Sequence, residues 1–172
     1  MREARRRERI RSFAPIAGRG ARVLILGSMP GKKSLEARQY YAHKQNAFWR
    51  VVRDLLHLDP ESPYDERVRA LESAHIAVWD VLHSCVRQGS LDTGIEIKSE
   101  KPNDFPAFFR IHKKITHVFF NGAKAEASFK RHVSRDIHAD SLVFARLPST
   151  SPAHASVSYP RKLKAWQAIL RG

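Results

Sequence analysis

The stretch "LILGSMPGKKSLEA", Leu24 to Ala37, decides the fold. An apolar run ends at Gly27, a tight turn closes at Gly31, and two lysines lead into a segment of helix formers. Strand, turn and helix in that order open an α/β unit. A phosphate loop would need four residues between its glycines, then Lys followed at once by Ser or Thr. Here only Ser28, Met29 and Pro30 separate Gly27 from Gly31, and Ser34 stands one place too far along. Pro30 also removes a backbone N–H from a loop whose task would be to offer N–H groups to phosphate. The pattern argues against a nucleotide-triphosphate site and for a strand-to-helix turn in which glycines relieve crowding.

Working outward, "RVLIL" at 22–26 is joined by "IAVWDV" at 76–81, "HVFF" at 117–120 and "SLVFAR" at 141–146. Short runs of this kind are what strands buried on both faces look like. Helical stretches lie between them. "NAFWRVVRDLLHL" sets Phe48, Val52, Leu55 and Leu58 on one stripe. "SPYDERVRALESA" places Ser62 at the N-cap, Pro63 at the first helical position and Asp65 three after the cap. "NDFPAFFRIHKKI" starts a helix at Asn103; "GAKAEASFKRHV" and "PRKLKAWQAILRG" supply two more, the last with Leu163, Trp166 and Ile169 or Leu170 inward. This alternation predicts an α/β fold: a single-domain three-layer α/β/α sandwich with a central four-stranded parallel sheet. Residues 1–20 read as a basic N-terminal arm and 21–172 as the domain. Ligands of such sheets bind beyond the C-terminal strand ends. Those ends are "GSMPG", "HSCVRQGS", "NGAK" and "LPSTSPAHAS".

A net charge of +14 over 172 residues points to a polyanionic partner, most simply nucleic acid, with acidic membrane lipid as the other reading. The arginine-rich start "MREARRRERIRSF" lacks the apolar core of a secretory signal; it is either a solvated arm or a DNA-backbone contact. No apolar run approaches the ~20 residues of a membrane span. Cys85 is the only cysteine, so no internal disulfide forms, which fits a cytoplasmic setting; a nucleoid-associated monomer is the further expectation. The nine histidines show no H-E-x-x-H or other zinc-like spacing, so neither a metal nor another cofactor is expected. No G-x-S-x-G elbow is present.

Four pieces, in order, resemble the uracil-DNA glycosylase superfamily, with the best fit to its hypoxanthine-DNA branch. They are "VLILGSMPG", "YYAHKQNAFWRVV", "WDVLHSCVRQGSLD" and "LPSTSPAHAS", and the resemblance covers residues 22 to about 170, nearly the whole chain. It implies a monofunctional glycosylase domain that flips deaminated bases, uracil or hypoxanthine, out of DNA and hydrolyses their N-glycosidic bond with water. It places Gly27, Ser28 and Met29 against the flipped base. Several branches carry a water-holding Asn or Asp in this turn; Met29 cannot orient water. The branch with this departure uses an Asn in the following segment, which matches Asn46. Read from the residues alone, Asn46 caps the next helix, and the two roles can coexist.

Tyr41 matches the aromatic on which the base stacks, leaving Tyr40 to pack inward. Asp80 falls where the uracil-specific branch reads the base edge, with Ser84 as a second contact. Uracil and hypoxanthine both present an N–H beside a carbonyl, so an acceptor at Asp80 with a donor nearby suits them. The alternative is a buried Asp that binds backbone N–H groups. The last loop has Leu147 where the uracil-specific pattern has His. His154, Ser149 and Ser151 are then DNA contacts, and Lys32 and Lys33 are phosphate contacts. A non-catalytic nucleic-acid-binding protein on the same scaffold is the other function class.

Overall fold

The computed structural model describes residues 8–172. Four parallel strands form the centre: β2 (Val23–Gly27), β3 (Ile76–Asp80), β6 (His117–Asn121) and β7 (Val143–Leu147), in the order β3-β2-β6-β7. Every residue of β2 and β3 is buried. Alternate residues of β2 point into two separate cores, which explains the unbroken apolar run. Leu24 and Leu26 pack with Trp79, Phe105, Phe120 and Phe129. Val23 and Ile25 pack with Phe48, Trp49, Leu71 and Trp166.

The first core is covered by α4 (Phe105–Ile111) and α5 (Ala123–His132). The second lies under α2 (Phe48–Leu56), α3 (Tyr64–Ser73) and α6 (Tyr159–Trp166), while the short α1 (Lys32–Ala37) follows the first turn. The three-layer α/β/α sandwich with its four-stranded parallel sheet is the architecture expected.

A second, antiparallel sheet was not expected. β1 (Arg9–Arg11) pairs with β4 (Leu82–Val86), which pairs with β5 (Lys101–Pro102). Ile16 then bridges Val78, so the chain before β2 protects the free edge of β3. Residues 9–16, within the segment read as an arm, are thus part of the folded body. Residues 1–7, with most of that segment's arginines, lie outside the described residues.

Two helix boundaries differ from those expected. Pro63 is the N-cap of α3 rather than its first residue, because its ψ of 158° is extended; Ser62 stands outside. α4 starts at Phe105, not Asn103, because the Asp104 side chain accepts from the Ala107 N–H at 3.0 Å. Of the two inward candidates at the C-terminus, Ile169 is buried and Leu170 exposed.

Strand register aligns the ends that matter. Gly27 lies opposite Asp80, and Asn121 opposite Leu147. The chain leaves β2 towards β3 and returns on the other side of β2 as β6, so the topological switch lies between β2 and β6. Open α/β sheets bind their ligands at such a switch.

Candidate active site

At the end of β2 the backbone turns under two buried polar groups. A side chain on Gly27 would begin 2.5 Å from Asp80 Oδ1 and 2.9 Å from the Tyr41 hydroxyl. Only glycine leaves that space open. Asp80 is 3% exposed; among the described residues its Oδ2 has no hydrogen-bond partner, and neither has the Tyr41 hydroxyl. Asn103 binds the Asp80 main-chain carbonyl at 2.8 Å, not its carboxyl. Burial first, then the charge of Asp92, raises the Asp80 pKa to about 7, against the lowering effect of Arg87. The Asp80 of the structure is therefore not a carboxylate clamped by backbone N–H groups.

Tyr41 is held firmly. It has a left-handed φ of 53°, unusual for a bulky residue, and its ring stacks on Phe48 with centroids 4.0 Å apart. Burial and the nearby Asp80 raise its hydroxyl pKa, so it stays neutral. The Asn121 side chain approaches this hydroxyl without completing a hydrogen bond. Tyr40 packs inward as expected, its hydroxyl bonded to the Ala14 carbonyl at 2.7 Å.

Asn46 and Tyr41 line one groove of about 450 Å³, together with Trp49, Arg50, Arg53 and Arg67. The Asn46 side-chain oxygen accepts from the Phe48 N–H at 2.9 Å; the N-cap of α2 is Ala47, so Asn46 is not the expected cap but closes a local turn onto the first helical residue. An amide oxygen has a second lone pair, which this bond leaves for water.

The remaining residues divide. The Ser28 hydroxyl donates to Asp92 Oδ1 at 2.6 Å. Met29 is buried in the apolar core. Ser84 is in β4, where Arg9 donates to its hydroxyl at 3.0 Å; it is not brought to the Gly27 cluster. Lys32 and Lys33 are exposed on α1, and Lys33 pairs with Glu36 at 3.4 Å. In the final loop the Ser149 hydroxyl accepts from the Ser151 N–H and the Ser151 hydroxyl from the Ala153 N–H; both keep a proton to donate to phosphate. His154 is exposed, and Lys162 holds its carbonyl at 2.8 Å.

Two residues outside the sequence reading complete the site. Asn121 and Thr150 exchange hydrogen bonds, both at 2.9 Å, which fixes the last loop against the end of β6. The loop in turn accepts the Ala47 N–H through Thr150, so it braces the Asn46 segment. Gly122 beside it has a φ of 93°, and a Cβ there would meet Ser149 at 3.0 Å. Asp92 is the second residue: its outer surface is exposed, but its carboxyl is desolvated and its pKa raised. Asn121 could have been found as the one amide at a strand's C-terminal end; Asp92 had only its place in "GSLD". Among the described residues, no three His, Cys, Asp or Glu side chains are placed to hold a metal, and no helix is long and apolar enough to cross a membrane.

Comparison with known proteins agrees with this geometry. A family model described as the uracil DNA glycosylase superfamily matches residues 15–170. A Methanosarcina acetivorans protein named hypoxanthine DNA glycosylase is 31% identical over 94% of this chain and 98% of its own. A protein of the same name from Methanosarcina barkeri is 37% identical over 66% of this chain and 71% of its own length. A solution NMR structure from Methanosarcina acetivorans, described provisionally as a uracil DNA glycosylase, superposes with a TM-score of 0.79 at 29% identity, covering 95% of this chain and 98% of that one. The buried acid at the end of β3, the aromatic beside Gly27, the braced last loop and the match over nearly the whole chain agree: this chain belongs to the uracil DNA glycosylase superfamily.

Proposed function

We propose that the protein is a monofunctional DNA glycosylase of base-excision repair, which flips a deaminated base out of DNA and hydrolyses its N-glycosidic bond. Hypoxanthine is the first substrate and uracil the second. The single observation that carries the reading is the pair of buried polar atoms without partners among the described residues, Asp80 Oδ2 and the Tyr41 hydroxyl, on two groups that meet beside Gly27 at the end of β2. Buried polar groups without partners are costly and mark a place where a ligand completes the hydrogen bonding. The names of the two relatives favour hypoxanthine.

In this reading Asn46 holds the attacking water, Tyr41 stacks the base, and Ser149, Ser151, His154, Lys32 and Lys33 contact DNA. The protein works as a cytoplasmic monomer on the nucleoid. Alkali cleavage of labelled duplexes carrying one deoxyinosine or one deoxyuridine tests it. No cleavage of either would leave a DNA-binding protein on the same scaffold.

Binding supplies two more tests. Tyr41→Ala weakens capture of the flipped base by about 1–3 kcal/mol, the scale of one base–aromatic stack, while binding to undamaged duplex is preserved. Equilibrium titration with deoxyinosine-containing and undamaged duplexes separates the two. Removal of residues 1–7 flattens the salt dependence of duplex binding if their arginines neutralise phosphates. The cut stops short of β1, which the fold requires. An unchanged slope would make that segment a bystander.

A further inference from the structure

Among the described residues no cationic side chain bonds to the Asp80 carboxyl, and the position taken by Leu147 is buried and apolar. A departing base nevertheless needs a hydrogen-bond donor. When the C1′–N bond breaks, its electron pair goes to the base, and the negative charge spreads onto the base carbonyl. Water bonds to C1′, and its proton finally resides on the released base. A donor at the carbonyl lowers the barrier without itself being consumed. We propose, on the basis of the function above, that Asp80 works as a neutral carboxylic acid: its free oxygen accepts the base N–H, and its O–H donates to the adjacent carbonyl as charge builds there.

The geometry supports this. The carboxyl is almost fully buried, one oxygen is orphaned, and no salt bridge reaches it among the described residues. An ionised carboxylate in that place would be heavily penalised. It would also turn lone pairs towards the base carbonyl. A neutral carboxyl instead offers one acceptor and one donor side by side, as an amide does.

The groups facing Asp80 work in one direction, with one exception. Asp92 adds a like charge from the loop after β4 and disfavours ionisation of Asp80; the Tyr40 and Tyr41 hydroxyls stay neutral beside it and bring no charge of their own. Arg87 opposes them, but its guanidinium is engaged by the carbonyls of Pro30 at 2.8 Å and Gly89 at 3.3 Å. Asp92 is in turn anchored by Ser28. Burial thus does most to keep the base reader neutral, and the loop that carries Asp92 adds to it.

These contacts fix the sign of the pH dependence. The acid form is the active form, so single-turnover excision of deoxyinosine falls as pH rises through about 7. Asp80→Ala lowers excision by about 100-fold at pH 6, the scale of losing one donor to a developing oxyanion. Asp80→Asn, an amide that does not titrate, cuts a few-fold more slowly at pH 6 but holds its rate to pH 9. Asp92→Asn removes the like charge, lowers the Asp80 pKa and moves the falling limb to lower pH.

Carbon-13 NMR titration of the free protein reads the same group without catalysis: the Asp80 carboxyl carbon titrates near neutrality and shifts downward in Asp92→Asn. A wild-type rate that stays flat from pH 6 to 9 would overturn the inference, as would an Asp80 carbon titrating at ordinary carboxylate pH. So would an Asp80→Asn variant as slow as Asp80→Ala at matched folded fraction. Wild-type protein that excises neither base at pH 6 overturns the functional reading and this inference with it; excision with a flat profile overturns only the inference.

Discussion

Asn46→Ala lowers single-turnover excision by about 100-fold or more, the usual scale for a positioned general-base-like group. The turn after β2 offers no alternative: Met29 is buried in the core, and the Ser28 hydroxyl is committed to Asp92. Asn46 lines the groove with Tyr41 and keeps one carbonyl lone pair beyond its bond to the Phe48 N–H. That bond makes alanine ambiguous by itself, because loss of one local hydrogen bond at the start of α2 costs about 1 kcal/mol. Serine resolves it. Ser can accept a backbone N–H two residues on, as Asn does, but its shorter side chain cannot hold water at the same point. Asn46→Ser therefore recovers stability without recovering rate, and duplex binding stays within a few-fold in both variants because phosphate contacts lie elsewhere. If serine restores the rate together with the stability, the amide is structural and another group activates the water.

How much of this was legible in the chain differs from element to element. The central strands were placed to within one or two residues, because a strand buried on both faces has to be apolar throughout; Val23–Leu26 shows it directly. Gly27 and Asp80 stand at strand ends, where parallel sheets put their chemistry; Tyr41, between α1 and α2, was singled out by the family resemblance alone. The small antiparallel sheet was not. "RIR" carries two charges in three residues, and its strand state comes from pairing with Ser84–Val86, a partner 75 residues away. Local propensity contains no trace of such a contact. Asp92 was hidden for the same reason: it reaches Ser28 across 64 residues, through a loop whose course no periodicity describes. Ser84 misled in the opposite direction. It follows Asp80 closely in the chain, but Val81 and Leu82 carry it into the second sheet, where it meets Arg9 instead of the crevice.

The second sheet has its own keystone, and its removal has the largest expected effect on stability. Glu100 precedes β5, its side chain is fully buried, and among the described residues its side-chain partners all lie on α5: Lys124, Ser128 at 3.4 Å, Arg131 at 3.4 Å and His132 at 2.7 Å. Burial alone would raise its pKa, but the hydrogen bonds from Lys124 and His132 outweigh burial and hold it below the ordinary glutamate value. Glu100→Ala breaks a buried ion cluster from its central member, which costs about 3–5 kcal/mol. The lower end applies here, because Arg131 and, less so, Lys124 can turn towards solvent. The sign with pH is fixed by the depressed pKa. Between the folded and unfolded pKa values the unfolded chain binds more protons, so this stabilisation is fully present above the ordinary glutamate range. It is lost as pH falls through the lower folded value. Glu100→Gln keeps the shape, loses the charge and abolishes that part of the acid slope. Urea denaturation of the three proteins at neutral and acidic pH measures both effects. Equal midpoints for wild type and Glu100→Ala at neutral pH would mean that α5 is held by Phe129 and its apolar neighbours alone.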